Sequence, residues 1–397
     1  MYPIKKLQDC ATIIAGQSPE SKYYNSTGEG IPFFQGKADF GELYPKVRVY
    51  CSSPTKIAQY NDILLSVRAP VGPTNLSPGT VCIGRGLAAI RPDDSLDLKY
   101  LLYYFRYFET QLSAKGTGTT FKAINQKLIK NLEIPIPPLN EQSRIVAHIE
   151  ELFSELDKAV DTLKTTKEQL AVYRQAVLKD AFDNAQAMCE RFTPIEELLV
   201  TDRKGMSTGP FGTMLKKHEH KTTGVPMLGI ENIDSGKFID GNKIFVTPEK
   251  AAELKSFALK SGDIIISRSG TVGELCVVPP RMEGALLSTN LMRVSLDCQK
   301  VLPEYFIYLF QSKGIVLDQV KELCKGSTRI FLNQTILKQI QFPIPNVHEQ
   351  LQIINTIESR LTFCDNIEKT VDTALAQADA MRQSILKQAF EGKKDVY

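Results

Sequence analysis

Two short loops in the chain have the composition of a phosphate-binding turn. The segments KGTGTT (115–120) and KGSTR (325–329) each place small and hydroxyl-bearing residues directly after a Lys-Gly pair. Glycine lets backbone amides approach an anion closely, and the ammonium and hydroxyl groups add further donors. The same composition also suits an ordinary tight turn that requires glycine. Both loops are therefore candidate phosphate-binding sites, with a simple turn as the alternative.

The patterns of several enzyme classes are absent from the sequence. No G-x-x-x-x-G-K-[ST] segment occurs, which argues against a P-loop. An adenine methyltransferase needs Asn or Asp before a Pro-Pro pair and an aromatic residue after it, whereas the pair at 137–138 lies between isoleucine and leucine. The GRG at 84–86 is too short to indicate a cofactor loop. His218 and His220, with no cysteine nearby, favour a polar loop over a zinc site. We therefore predict no catalytic residue, no metal site and no cofactor bound by this chain.

The downstream part of each half of the chain repeats without a gap. IPIPPLNEQ (134–142) resembles FPIPNVHEQ (342–350), and QAVLK (175–179) resembles QSILK (383–387). Both pairs have the same offset, 342 − 134 = 383 − 175 = 208, and it holds throughout residues 125–182. Such an unbroken register is expected of a continuous helix whose faces must stay in phase.

Upstream of this constant part, the repeat continues with an offset that drifts. GIPFF (30–34) resembles GVPML (224–228) at an offset of 194, and NDILLSVRAPVG (61–72) resembles GDIIISRSGTVG (262–273) at 201. Insertions between matched strands belong in surface loops. Each half is therefore predicted to be a globular domain followed by a long helix.

Local patterns predict the composition of each globular domain. Apolar spacing predicts helices over 99–112 and 303–320. Short apolar runs that end in turn residues predict strands at 62–67, 87–92, 263–268 and 291–296. Each domain is therefore predicted to be mixed α/β (α+β).

A Pro-x-Pro phrase precedes each long helix. Two prolines separated by one residue keep the backbone extended and forbid a helix there, so the phrase predicts a rigid strand-to-helix joint. Helices are then predicted from Leu139 to Asp183 and from Val347 to Phe390. Asn346 and Glu349 have the spacing of a helix cap, and Pro138 suits the matching first turn.

Apolar residues recur at spacings of three and four along both predicted helices, as in a coiled coil. An exposed apolar stripe would be unstable in water, so we expect the two stripes to bury each other. Tyr173 and Met381 follow the same spacing. The residues predicted to form this helix seam are Ile149, Phe153, Leu156, Val160, Leu163, Leu170, Ile357, Leu361, Ile367, Val371 and Leu375.

Bulk composition is that of a soluble globular protein. The 397 residues are 43% hydrophobic and 23% charged, and no run of 18 apolar residues exists. The N-terminus has no apolar signal core, and the eight cysteines show no regular spacing. These features predict a cytoplasmic protein. A net charge of +3 permits nucleic-acid binding without demanding it.

Two α/β domains, each followed by a long helix introduced by P-x-P-x-x-x-E-Q, resemble the specificity subunit of type I restriction-modification systems. The resemblance is carried by the joints at 135–142 and 343–350, by the glycine loops at 115–121 and 325–331, and by the GDI-like strands. It covers essentially the whole chain in the family's order. It implies two similar target recognition domains held apart by two long antiparallel coiled-coil helices, in a pseudo-twofold arrangement.

The resemblance also implies a non-catalytic subunit that recognises double-stranded DNA. Each domain would read one half of an asymmetric bipartite target in the major groove, and the helices would set the half-site spacing. Two modification (methyltransferase) subunits would dock on the helices, and restriction (translocase/nuclease) subunits would join that core. S-adenosylmethionine, ATP and Mg²⁺ are expected on those partners. The implied order is a first recognition domain, its joint and helix, a second recognition domain, and its joint and helix, at 1–134, 135–190, 191–342 and 343–397.

Phosphate contacts in such a complex should come from Lys, Arg, Ser and Thr side chains and from loop amides. For base contacts, the sequence offers only the loop residues Gln35, Arg48, Asn232 and Arg268. The candidate DNA-binding residues are Lys37, Lys46, Arg48, Arg68, Lys115, Gly116, Thr117, Thr119, Lys122, Lys216, Lys217, Lys221, Lys237, Arg268, Lys325, Gly326, Ser327 and Arg329.

Two other functions stay open at this point. The recognition subunit of a two-component type II restriction-methylation enzyme would have nearly the same architecture, and only the partner subunit separates the two. A coiled-coil adaptor without a DNA role is the alternative from another class.

Overall fold

The computed structural model describes residues 2–116, 123–189, 191–211, 214–268, 272–312, 314–323 and 331–391. The chain divides into two compact units: unit 1 is Met1–Leu163 with Asp372–Tyr397, and unit 2 is Lys164–Val371. In the described residues, no helix is both long and apolar enough to cross a membrane. Each unit combines a globular part with segments of both long helices, whereas the domain bounds predicted from the sequence stay a prediction.

The strands and α-helices up to the end of the first long helix are β1 (Ile4–Lys6), β2 (Ala11–Ala15), β3 (Tyr24–Asn25), β4 (Ile31–Phe34), β5 (Tyr50–Cys51), β6 (Ile57–Ala58), β7 (Ile63–Ser66), β8 (Thr74–Leu76), β9 (Val81–Ile83), β10 (Leu87–Pro92), α1 (Leu98–Ala114), α2 (Gln126–Lys130), β11 (Glu133–Pro135) and α3 (Leu139–Met188). The following strands and α-helices are β12 (Phe192–Pro194), β13 (Met206–Thr208), β14 (Val225–Leu228), β15 (Ile233–Asp234), β16 (Lys237–Phe238), β17 (Ile244–Val246), α4 (Pro248–Glu253), β18 (Ile264–Ser267), β19 (Leu275–Val277), β20 (Leu286–Leu287), β21 (Leu291–Val294), α5 (Pro303–Gln311), α6 (Val316–Leu323), α7 (Gln334–Gln339), β22 (Gln341–Pro343) and α8 (Val347–Glu391).

The two units share one sheet topology. Unit 1 has an antiparallel sheet of order β2-β10-β7-β8, and unit 2 has the equivalent order β13-β21-β18-β19. A second sheet contains a parallel pair in each unit, β4 with β9 and β14 with β20. The short pairs β1-β11 and β12-β22 are also equivalent. The mixed α/β prediction and all four strand predictions are confirmed.

The central strands β7 and β18 feed two hydrophobic clusters each. Ile63 and Leu65 pack with α1, whereas Leu64 packs on the other side with β4 and β9. In unit 2, Ile264 packs with α5 in the same way, whereas Ile265 packs on the other side with β14 and β20. Successive side chains of a strand point to opposite faces, so a run without alternation indicates a strand covered on both faces.

A buried carboxylate begins each central strand. Asp62 accepts two hydrogen bonds from Arg91, at 2.7 and 2.8 Å, and one from the Gln59 amide at 2.8 Å. Asp263 pairs with Arg203 and accepts from the Ser295 hydroxyl at 2.8 Å. A buried charge needs such partners. The Asp of the GDI-like segments therefore anchors the sheet.

The predicted helix over 99–112 is confirmed by α1, but the prediction of one helix over 303–320 is wrong. There α5 ends at Gln311 and α6 begins at Val316. Ser312 has an extended backbone, and Gly314 follows it. Glycine disfavours a helix interior, which favours a break here. The apolar spacing continues across this break, so periodicity alone does not detect it.

The predicted joints and helix starts are confirmed. β11 and β22 end at the first proline of each phrase, and α3 and α8 begin at Leu139 and Val347. Asn346 and Glu349 form the expected cap, since each side chain accepts from the other residue's backbone amide at 3.0 and 3.1 Å. Pro138 directly precedes α3, and its carbonyl accepts from Gln142 N at 3.0 Å.

A buried glutamine at each joint ties the long helix to its globular part. Gln142 accepts from the Asp97 amide at 2.7 Å and donates to the carbonyls of Ser95 and Pro137 at 3.0 and 2.8 Å. Gln350 makes the same three bonds with Leu302, Lys300 and Pro345, each at 2.8 Å. Both side chains are fully buried.

The C-terminal end of α8 packs against the globular part from which α3 starts, and the C-terminal end of α3 packs against the globular part from which α8 starts. Phe390 of α8 meets Tyr100 edge to face at a centroid distance of 5.4 Å. Phe182 of α3 meets Tyr305 in the same way, also at 5.4 Å. Each tyrosine hydroxyl donates to the first proline carbonyl of its joint, at 2.9 and 2.8 Å. The two helices therefore run antiparallel within each unit.

Ion pairs confirm this register. Arg174 bonds Asp365 at 2.7 Å in unit 2, and Arg382 pairs with Asp157 in unit 1. Partners in an antiparallel pair have a constant sum of residue numbers, and 174 + 365 and 382 + 157 both give 539. The arginines differ by 208, as do the aspartates.

Burial along the helix seam is uneven. Ile149, Leu170, Ile357 and Val371 are buried. Tyr173 and Met381 are 46% and 54% exposed, so including them in the same stripe was wrong. The other predicted seam residues are half-buried, namely Phe153, Leu156, Val160, Leu163, Leu361, Ile367 and Leu375.

We expect Gln142→Leu to lower the free energy of unfolding of unit 1 by about 2–4 kcal/mol, because it removes the partner of one buried and two partly buried backbone groups. Gln350→Leu should do the same in unit 2. Gln377→Leu, an exposed position on α8, is the matched control. Chemical denaturation monitored by circular dichroism measures these changes, and equal stability of Gln142→Leu and Gln377→Leu would refute the anchoring role.

A second comparison tests the seam. Ile357→Asp places a charge in a fully buried position and should destabilise unit 2 by about 4 kcal/mol or more. Phe363→Asp, on the same helix but 63% exposed, should change stability by roughly 0.5 kcal/mol or less. Thermal unfolding of both variants checks the contrast. A similar loss in both would show that exposure does not separate the faces of α8.

Candidate nucleic-acid interface

A cleft of about 640 Å³ opens in unit 1 at the carboxyl ends of the parallel strands β4 and β9. The chain leaves β4 through Gln35 and a 3₁₀ turn at Lys37–Asp39, and it leaves β9 through Arg85. Arg48 and Arg68 complete the polar wall. Four residues singled out from the sequence (Gln35, Lys37, Arg48 and Arg68) therefore meet in one place.

Asp39 fixes the first wall of this cleft, which we call cleft 1. Its carboxylate accepts from the Gln35 amide at 3.0 Å and from Arg48 Nε at 3.1 Å. Arg48 also donates to the Ala38 carbonyl at 3.0 Å. Arg48 is therefore engaged in holding the turn, which reduces its freedom to contact a base.

Arg85 stands at the tip of the second wall and was not among the predicted site residues. Its backbone amide donates to Ser18 Oγ at 3.2 Å. A Cβ at Gly86 would lie 2.2 Å from the Gln35 carbonyl oxygen, so this close approach of the two walls requires glycine. The GRG at 84–86, too short to indicate a cofactor, is thus a tight turn that presents an arginine.

Three cations of cleft 1 are exposed, namely Lys37, Arg68 and Arg85. Over the described part of the chain, the side chains of Arg68 and Arg85 form no hydrogen bond or ion pair. Such side chains are available to a ligand rich in hydrogen-bond acceptors, such as phosphate oxygens or a base edge.

Unit 2 has a cleft of about 840 Å³ at the equivalent place, the carboxyl ends of β14 and β20. Lys216, Lys217 and His220, which precede β14, form an additional wall of this cleft 2, while Glu231 lines the wall after β14 and Asn290 the wall after β20. Two of the predicted DNA-binding residues, Lys216 and Lys217, therefore lie in it.

The predicted polar loop around His218 and His220 is part of this wall. Glu219 between them accepts from the Lys216 amide at 2.6 Å and from Lys250 Nζ at 2.8 Å. These bonds, the backbone one first, hold the pKa of the Glu219 carboxyl below its usual value. The described residues contain no group of three or more His, Cys, Asp or Glu side chains placed to hold a metal ion.

Arg268 and Asn232 are buried, and their side chains bond backbone groups of unit 2. Arg268 is buried, donates to the Thr289 carbonyl at 3.1 Å and lies 4.9 Å from the Phe331 ring centroid. Burial lowers the pKa of its guanidinium. Asn232 is fully buried and bonds the backbone of Gly229 and Ile239 at 2.9 Å. Neither side chain lines cleft 2, and the hypothesis that either one reads a base stays a prediction.

The other predicted residues lie apart from the two clefts. Lys46, Lys221 and Lys237 are exposed. Lys115 lies 5.1 Å from the Phe108 ring centroid, and Gly116 N donates to the Ser113 carbonyl at 3.2 Å. Seven predicted residues lie outside the described residues, and their role stays a prediction: Thr117, Thr119, Lys122, Lys325, Gly326, Ser327 and Arg329.

Two curated relatives of the chain are both described as type I restriction enzyme specificity subunits. The putative type I restriction enzyme MjaX specificity subunit of Methanocaldococcus jannaschii is 41% identical over 167 residues, which is 42% of this chain and 38% of that protein. The EcoKI specificity subunit of Escherichia coli K12 is 26% identical over 340 residues, 80% of this chain and 70% of its own length. The chain thus spans well under half of the first relative and about two thirds of the second.

Two solved structures are similar in part. The HsdS subunit from Thermoanaerobacter tengcongensis has 50% identity over 39% of this chain and 37% of its own, with a TM-score of 0.36. The type I restriction-modification S subunit from M. genitalium has 17% identity, covers 98% of this chain and 96% of its own, and has a TM-score of 0.39.

A family model described as "Type I restriction modification DNA specificity domain" matches residues 2–171 and 211–377, one copy in each half of the repeat. These two matches cover most of the chain and include both clefts, both joints and most of both long helices. The chain therefore belongs to the family of type I restriction-modification DNA specificity proteins.

Proposed function

We propose that this chain is the non-catalytic recognition subunit of a type I restriction-modification complex, and that each unit reads one half of an asymmetric bipartite DNA target. The observation that supports it best is the pair of clefts. They occupy equivalent positions on equivalent strand pairs, yet their walls carry different side chains. One framework with two different linings suits two different half-sites.

Cations around cleft 1 and on the Lys216–Lys217 wall of cleft 2 would provide phosphate contacts. Each neutralised phosphate releases counterions, so binding should weaken steeply with salt. The modest net charge of +3 does not oppose this, because nucleic-acid binding depends on the local cations that face the phosphates and not on bulk charge alone.

The long helices would carry two modification subunits. Tyr173 and Met381 support this, because both are exposed apolar residues and their numbers differ by the repeat offset of 208. Equivalent positions can bind two copies of one partner in the same way. Restriction subunits would join that core. S-adenosylmethionine, ATP and Mg²⁺ would bind those partners, and this chain would hold no cofactor.

Two alternatives make different predictions. A two-component type II enzyme would use the same recognition architecture but a single partner that both methylates and cuts. A coiled-coil adaptor would show no salt-dependent DNA binding. The partner that copurifies and the DNA that is bound therefore separate the three functions.

The direct experiment is methylation mapping in a host that carries the chain with its modification subunit. We expect one bipartite sequence with different halves to be methylated, and no methylation by the purified chain alone. A gel shift of the assembled complex should lose affinity as salt is raised from 50 to 200 mM, by roughly 10³-fold or more if at least six phosphates are contacted. Methylation by the isolated chain, or binding that ignores salt, would contradict the proposal.

Helix length should set the spacer between the half-sites. We expect four residues inserted after Thr165 in α3, together with four after Thr373 in α8, to lengthen the recognised spacer by about one or two base pairs. One helical turn adds about 5.4 Å, and one base pair is about 3.4 Å of duplex. Inserting four residues in both helices raises the sum of paired helix positions by four in each unit. Arg174 therefore keeps Asp365 as its partner, and Arg382 keeps Asp157.

The control is the same insertion in α3 alone. It changes the helix register needed by the Arg174–Asp365 pair but not that needed by the Arg382–Asp157 pair, so both pairs cannot form together and assembly of the complex should be reduced. Methylation mapping of the double insertion reports spacer and half-sites together. Altered half-sites with an unchanged spacer would show that the helices do not set the distance.

A further inference from the structure

The lining of the two clefts can be compared residue by residue. Phe33 pairs with Cys82 in unit 1, and Met227 pairs with Leu286 in unit 2, in the same parallel arrangement. The offset is therefore 227 − 33 = 194 on the first wall and 286 − 82 = 204 on the second. By these offsets Lys37 corresponds to Glu231, and the Arg85-Gly86 tip corresponds to Thr289-Asn290.

Cleft 1 offers mainly hydrogen-bond donors. Its single carboxylate, Asp39, is already engaged by Arg48 and by the Gln35 amide. Its hydroxyl, on Ser66, donates to the backbone carbonyls of Arg68 and Pro70. The exposed side chains of Lys37, Arg68 and Arg85 can only donate.

Cleft 2 offers acceptors at the corresponding positions. Glu231 lies on its first wall, and no partner of its carboxylate is found within the described residues. Asn290 is exposed at the tip of the second wall. Thr289 is occupied, since its hydroxyl donates to the Pro210 carbonyl at 2.7 Å. A carboxylate repels phosphate, so a cleft that faces DNA with a free glutamate is suited to a base amine.

In the major groove, guanine presents two acceptors, O6 and N7, which match the fork of an arginine. Cytosine and adenine present an exocyclic amine, which donates to a carboxylate or an amide oxygen. We infer that the two clefts are base-reading sites with opposite preferences: Arg85 in cleft 1 reads a guanine, and Glu231 with Asn290 in cleft 2 reads a cytosine or an adenine. This inference rests on the proposed function, because it names the bases that each unit would select.

Arg85 is the better reader among the cations of cleft 1 because its backbone is fixed. The tip is held by the Ser18 contact and by the tight approach of Gly86 to the Gln35 carbonyl. A preorganised backbone reduces the entropy lost when a side chain binds. Arg48, by contrast, is already committed to Asp39.

The test uses the assembled complex with its modification subunits and a duplex library in which both half-sites are randomised. Bound sequences are counted for the wild type and for Arg85→Ala, Arg85→Lys and Glu231→Gln. Lys22→Ala, an exposed cation of unit 1 that pairs with Glu20 away from the cleft, is the control. Thermal unfolding of each variant verifies that the exposed substitutions leave folding intact.

We expect Arg85→Ala to reduce the preference for guanine at one position by roughly tenfold or more, with the other half-site unchanged. Arg85→Lys keeps the charge but loses the planar fork, so it should keep the salt dependence and lose most of the base preference. Glu231→Gln should relax one position in the other half-site, where the wild type selects cytosine or adenine. Lys22→Ala should select the wild-type sequence.

Three results would overturn the inference: no guanine at the position that Arg85→Ala affects, equal weakening for every sequence, or complete loss of binding by an assembled Arg85→Ala complex. The last two would identify Arg85 as a phosphate contact. A wild-type complex that selects no bipartite sequence would instead refute the proposed function itself.

Discussion

The structure depends on a buried glutamine side chain that is used twice. Gln142 and Gln350 each join three backbone groups: the amide that precedes α1 or α5, a carbonyl just before it, and the carbonyl of the second proline of the Pro-x-Pro phrase. A long helix that begins after two prolines could leave its domain in many directions. The glutamine removes that freedom, because its side chain is fully buried and the loss of its bonds would leave polar groups without partners. It explains why the phrase ends in Glu-Gln, which the prolines and the helix cap alone do not.

The antiparallel exchange of helix ends explains the constant offset. Phe390 and Phe182 bury their rings against Tyr100 and Tyr305, and the same tyrosines hold the joints through their hydroxyls. Each long helix is thus fixed at its start by one unit and near its end by the other, with an arginine–aspartate pair between. An insertion in one helix would shift one set of contacts relative to the other. The globular parts have no such double constraint, and there the offset drifts from 194 to 201 between matched segments of the sequence.

Local periodicity predicted the strands, the joints and both helix starts, because each of these depends on residues that are close in sequence. The break between α5 and α6 was missed because apolar spacing continues across it. Tyr173 and Met381 fit the seam spacing but face outward, since the register of the helix pair is set by distant contacts. Within the candidate site, Lys37 and Arg68 were found by charge alone. Arg85 and Glu231 were missed, because only the fold brings the end of β4 beside the end of β9, and the end of β14 beside that of β20.

The position of the clefts also shows how one framework can carry two different linings. The ends of a parallel strand pair contribute side chains from turns whose backbone amides already have partners. Asp39 accepts from the Gln35 amide after β4, and Asn232 accepts from the Gly229 amide after β14. Side chains at such tips can change charge without exposing a buried group. Lys37 in one unit and Glu231 in the other illustrate this, since the buried Phe34 and Leu228 that precede them are fully enclosed in both. Under the proposed function, substitution at the tips would alter which base edge is preferred, while the central strands, the glutamine anchors and the helix pair keep the framework of each cleft unchanged.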